Sequence, residues 1–159
     1  MKGIVFIATV LVFVFAVSSY ALESAKLMDT RDKVIMESGD IKALLNTTKD
    51  IILVSSMWDS CALTISQLDA YFSQLGIFNT IKKQEVTEEA INFIVKWLEQ
   101  IKNTNEINIK SLNEVTQKLE AKTKLHLERL KGYFKDLNQQ IDGELSKLDS
   151  LKKSLGVKP

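Results

Sequence analysis

One proline, at the last position, and six glycines in 159 residues leave this chain with almost nothing that stops a helix. Sheet-rich folds need more turn residues than that. A lone cysteine, Cys61, excludes an intramolecular disulfide, so a fold in an oxidising compartment must be held by packing alone. Cys61 itself reads as a small buried apolar side chain, with an intermolecular disulfide as the rival reading. The single histidine, His126, excludes any multi-histidine metal site. Its neighbours on its own helix face, Lys122, Thr123 and Leu130, are neither ligands nor orienting acids, so a structural or surface role is expected. Charge of one sign is missing too: 21 basic residues against 20 acidic ones give no net field. That argues against nucleic acid or an acidic membrane surface as a partner chosen by bulk charge.

Catalytic patterns are equally scarce. There is no nucleophile elbow, no phosphate-binding glycine loop and no dinucleotide fingerprint. Glu88 and Glu89 look like helix-start residues, Asp29 and Asp32 like a solvated face, and none has the spacing of a calcium loop. The expectation is a protein that is not an enzyme and carries no cofactor or metal.

What is present begins with an export segment. Met1-Lys2 is a minimal basic start, Ile4 to Val17 is apolar apart from Thr9, and Ser18-Ser19-Tyr20-Ala21 closes it with small and polar residues. These are the parts of a signal peptide over residues 1–21, with Ser19 and Ala21 at the small positions of a cleavage site. Residues 22–159 would then be a single all-helical domain, secreted, or periplasmic in a bacterial host. The rival is an uncleaved anchor, since the segment just reaches the span of about 20 residues a bilayer requires. Asn46-Thr47-Thr48 is an N-glycosylation acceptor pattern, which makes Asn46 a candidate modification site.

Hydrophobic residues make up 45% and charged ones 26% of the chain, values that call for a buried core rather than disorder. Apolar residues recur at intervals of three and four, which is the helical period. The breaks between the stripes divide the domain into helices over about 23–37, 40–75, 80–103 and 108–155. Ser38-Gly39-Asp40 reads as a break, Gly76 as a stop with a Schellman cap, Asn103 to Glu106 as a polar connector, and Asn108 as a cap. Thr87-Glu88-Glu89 opens the third helix with a cap and two acids. The last helix would be about 70 Å long at 1.5 Å per residue, with Gly132 and Gly143 as bends or close-contact points. The predicted fold is all-α: an elongated antiparallel bundle of three to four helices with a long C-terminal amphipathic, coiled-coil-like helix.

Two surfaces are candidates for function. Leu127, Leu130, Phe134, Leu137, Ile141, Leu148 and Leu151 have the spacing of a self-association seam, or of a seam filled within the same chain. Trp58, Phe72, Phe93 and Trp97 fall on or beside apolar stripes as core anchors or as the lining of an apolar ligand or partner surface. The favoured function is a secreted, non-enzymatic bundle that binds a protein partner and self-associates into a homo-oligomer. The alternative is a lipid or hydrophobic-ligand carrier that lays amphipathic helices on a membrane surface.

Overall fold

A computed structural model describes residues 25–81 and 85–155. The export segment and its cleavage after Ala21 lie outside the described residues, as do the start of the first predicted helix and the Gly156 cap. Among the described residues there are four helices and no strand. We label them α1 (residues 25–44), α2 (Ile51–Phe78), α3 (Glu88–Asn113) and α4 (Ala121–Ser154).

Cross-helix partners fix the topology. Arg31 meets Asp69, Thr64 meets Asn105, Lys102 meets Asp142, and Thr30 meets Gln140. In each helix pair a rise in one number goes with a fall in the other, as in Glu37 to His126 against Thr30 to Gln140. The bundle is therefore antiparallel, running α1-α2-α3-α4 around a square that closes with α4 against α1. The helices form because each has a stripe to bury. On α1 the buried residues are Leu27, Thr30, Val34, Glu37 and Ile41, spaced by three and four.

The core is divided into two apolar halves. One holds Leu27, Leu68, Tyr71, Ile94, Leu98 and Ile141; the other holds Val34, Met57, Cys61, Leu127, Leu130 and Phe134. Between them runs a polar belt. Thr64 Oγ1 donates to Asn105 Oδ1 at 3.1 Å, and Asn105 Nδ2 donates to Asn138 Oδ1 at 3.2 Å. Thr30 and Gln140 bond each other nearby, with the Gln140 amide donating to the hydroxyl at 2.9 Å.

Helix boundaries depart from expectation wherever a core position lies beyond a weak residue. Gly39 does not break α1, because Ile41 beyond it is fully buried. Gly76 does not stop α2, because Phe78 is buried two residues later. Burying such a side chain stabilises by about 1.5–3 kcal/mol, more than the roughly 1 kcal/mol that a helical glycine costs. Residues 103–106 are not a connector but lie inside α3, where Asn105 is wholly buried, and Asn108 is interior rather than a cap. Gly132 and Gly143 both lie inside a continuous α4 of 34 residues, with nothing within 4 Å of an added Cβ, so neither is a break or a close-contact point. The Thr87 cap stands: its hydroxyl accepts from Ala90 N at 3.2 Å.

The two connections at one end of the bundle are tied together. Asp50, at the start of α2, accepts from the Glu120 backbone N–H at 3.0 Å. Glu120, at the start of α4, accepts in return from the Thr48 hydroxyl at 2.8 Å and from Lys49 N at 3.2 Å. Neither N-cap carboxylate bonds its own helix; each instead holds the connection that precedes the other, while sitting near the positive end of a helix dipole.

Candidate interaction surface

The α4 seam is closed. Leu127, Leu130, Phe134, Leu137, Ile141 and Leu148 are all buried among the other three helices, and Leu151 is half-buried against the same core. A second chain cannot reach them in the folded bundle. The seam is thus filled within the chain, and any self-association must use another face.

The four aromatic candidates do not converge on one cavity. Trp58 and Phe72, two heptads apart, lie on the flank of α2 that faces α1. Lys42 Nζ stands 5.3 Å above the Trp58 ring, and Phe72 tilts against Tyr71 at 5.5 Å. Phe93 and Trp97 lie on the opposite side of the molecule's second groove, on the α2-facing flank of α3. Their rings meet edge-on at 6.5 Å, and Phe93 is half exposed.

The second groove, between α2 and α3, differs from the others in its chemistry. Arg31 and Asp69 join α1 to α2 at 2.5 Å. Lys102 with Asp142 at 2.6 Å, and Lys152 with Glu88 at 2.5 Å, join α3 to α4. Glu37 with His126 joins α4 to α1. Among the described residues, the α2–α3 groove is bridged by uncharged hydrogen bonds: Thr64 to Asn105, and Gln67 Nε2 to Thr104 Oγ1 at 3.0 Å.

From the Gln67–Thr104 contact, steps of three and four residues trace the outer rim of this groove. On α2 they reach Ser60, Leu63, Ala70, Gln74 and Ile77; on α3 they reach Phe93, Trp97, Gln100, Ile107 and Ser111. None of these is charged, although the same steps taken to the outer edge of the face also reach Asp59 on α2 and Glu89, Lys96 and Lys110 on α3. Ile107 is 66% exposed, Ile77 60%, and Leu63 and Phe93 48% each. The antiparallel register places Leu63 level with Ile107 and Ile77 level with Phe93. Asp59 and Lys96 stand at the borders. The whole of α2 carries only two charges, Asp59 and Asp69, and the second is turned towards Arg31.

A buried ionic group sits on the far side of the bundle. Glu37, 3% exposed, lies 2.5 Å from His126 Nδ1 and 4.0 Å from a nitrogen of Arg129. The Asp40 carboxylate is close enough that Glu37, Asp40 and His126 each offer a ligand atom within 4.8 Å of the others. The orienting acids that His126 lacks on its own helix thus come from α1, one turn apart, which its sequence neighbours could not reveal. The His126 ring and the Arg129 guanidinium, both on α4, already face the Glu37 carboxylate, so the group reads best as a pin between α1 and α4. Removing one partner of such a buried pair costs about 3–5 kcal/mol. Burial first, then the Glu37 charge, pushes the nearby Cys61 thiol up to about 12. That leaves Cys61 a buried, unreactive thiol rather than a nucleophile.

Asn46 is exposed in the turn after α1, a position that would accommodate a glycan. Thr48, two residues on, has its hydroxyl engaged by Glu120. The chain matches no protein-family model, no curated protein and no solved structure.

Proposed function

We propose that this protein is an exported, non-enzymatic helical bundle that acts by binding a macromolecular partner through the outer face of α2 and α3. The observation that carries the reading is the uncharged rim, with four large apolar side chains about half exposed or more, on a molecule whose other grooves are bridged by ion pairs. Other exposed apolar side chains among the described residues lie on α1 (Met28, Ile35, Met36), at the start of α2 (Ile51, Ile52) and on α4 (Leu125); what sets this face apart is that its four fall level in pairs across two neighbouring helices, and such a patch marks an interaction site. The export reading rests on the composition of residues 1–21. The test compares wild-type chain with the Leu63→Glu/Ile107→Glu double variant as baits in extracellular fluid of the source. Partners retained by wild type and lost by the variant are expected; an identical retained set for both would sink the reading.

A second reading has its own observation. Among the described residues, α2 is long and apolar enough to cross a membrane, although a core helix passes that test as well. A lipid or hydrophobic-ligand carrier would open the bundle and lay this helix on a bilayer. Trp97 borders the face and Trp58 does not, so the Trp58→Phe protein reports on the face alone. Its emission should hold steady when neutral or anionic vesicles are added, and a saturating blue shift would put the lipid reading in front.

A further inference from the structure

We propose that the face formed by α2 and α3 takes up a second copy of this chain, giving a two-fold dimer in which α2 of each protomer packs against α3 of its partner. The inference rests on the reading of that face as a docking surface and names an occupant for it.

The argument from charge comes first. An uncharged face has nothing with which to select an acidic or basic partner, and two identical copies of it meet without like-charge repulsion. A membrane surface fits it less well, because interfacial helices keep a strongly cationic polar face, whereas the borders here hold acids, Asp59 and Glu89, as well as bases, Lys96 and Lys110. These would sit on the polar rim of the contact.

The second argument is self-complementarity. A two-fold axis parallel to the helices, lying in the contact plane, brings every level of the face opposite itself and exchanges α2 with α3. Leu63 then meets the partner's Ile107, and Ile77 meets the partner's Phe93, so apolar levels fall on apolar levels. Gln67, Ala70, Gln74 and Gln100 occupy the levels between them, with Lys96 at the outer edge level with the partner's Gln74 and so facing no second cation. The contact becomes an antiparallel four-helix arrangement, the same packing that the chain uses internally.

The third argument is area. From Ser60 to Ile77 the strip is about 26 Å long at 1.5 Å per residue, and two helices side by side are about 20 Å wide. That gives about 510 Å² per chain and about 1,000 Å² in total, at the floor for a specific interface. The dimer is accordingly one that dissociates on dilution rather than an obligate one.

Sedimentation velocity of the purified chain, from about 1 to 100 μM, tests this over a range natural for an interface of this size. Wild type should pass from monomer towards twice that mass. Leu63→Glu and Ile107→Lys, both at exposed positions, should each weaken the dimer at least about tenfold, since either buries an unpaired charge at the contact, while leaving the helical signal unchanged. Mixing the two variants should restore dimer, because the new acid on one chain's α2 meets the new base on the other chain's α3. A monomer throughout, a dimer that neither variant weakens, or failure of the mixture to recover would each overturn the proposal. Wild type that stays monomeric but partitions onto neutral vesicles would overturn it in favour of lipid. A monomeric wild type leaves the broader binding function to its own test, which does not depend on self-association.

Discussion

At the scale of single residues, the polar belt decides how the helices register. Asn105 is a buried amide with a partner on either side, Thr64 from α2 and Asn138 from α4, so it fixes three helices at one level. An apolar core tolerates sliding, whereas a buried amide is satisfied in one register only. The belt is also an expensive level: among the described residues, Gln67 Oε1 and Asn108 Nδ2 lie buried beside it without a hydrogen-bond partner. Asn105→Ala strands the Thr64 hydroxyl and the Asn138 carbonyl and should cost about 3 kcal/mol, combining lost hydrogen bonds with a small cavity. A urea titration reads that loss directly. Cys61 gives a second test at this scale. Its thiol stays protonated in the folded chain up to about 12, against a usual value of 9.0. Between those two values the unfolded chain releases a proton that the folded chain keeps, so stability is intact below pH 9 and falls as pH rises. The slope reaches at most about 1.4 kcal/mol per pH unit. Cys61→Ala should flatten this part of the stability-pH curve, and a curve of the same steepness would contradict the assignment.

At the scale of elements, the glycines separate what the sequence could show from what it could not. Gly39, Gly132 and Gly143 lie in helix interiors with open space where a Cβ would stand. Each Gly→Ala change should therefore stabilise by about 0.5–1 kcal/mol through helix propensity and the unfolded chain's lost freedom. Thermal unfolding of the three single variants checks this, and a lowered midpoint would mean the glycine serves a contact not visible in the fold. Apolar periodicity made the helical class, the antiparallel bundle and the Thr87 cap legible, because a stripe of Leu, Ile and Phe is a local signal, but the last helix is 34 residues and about 51 Å long rather than about 70 Å, because Val115 and Leu119 carry the stripe on through the connection at 114–120. Boundaries were less legible, since a glycine or an asparagine weakens a helix by an amount that one distant buried residue can reverse. Asn105 looks like a connector until Thr64 and Asn138, far off in sequence, are seen to satisfy it. The Glu37–His126 pair was hidden for the same reason: its members are 89 positions apart. The outer face of α2 and α3 was half legible. The exposed Phe93 and the neighbouring Trp97 stood out as aromatics, but the absence of charge becomes a property of a surface only once the two helices are side by side.

At the scale of the whole molecule, the square of helices is tied differently along its four edges. Among the described residues, ion pairs span the α1–α2 and α3–α4 grooves, Glu37 with His126 and Arg129 spans α4–α1, and uncharged hydrogen bonds span α2–α3. The exposed pairs over the α1–α2 and α3–α4 grooves contribute little stability each, about 0–1 kcal/mol, unlike the buried Glu37 group. Their arrangement still matters, because charge holds water over those two grooves and leaves the α2–α3 groove as one that a neighbour can dry. The two ends of the bundle are unlike as well. The Asp50–Glu120 exchange locks the α1–α2 and α3–α4 connections together, whereas at the opposite end α4 runs on past Leu27 of α1 and its last turns meet the start of α3 through Lys152 and Glu88. Tension applied between the start of α1 and the end of α4 would not shear the bundle along its length. It would peel α1 from α4 as a zipper opens, level by level from Leu27, and meet its firmest resistance only on reaching the knot at Thr48 and Glu120.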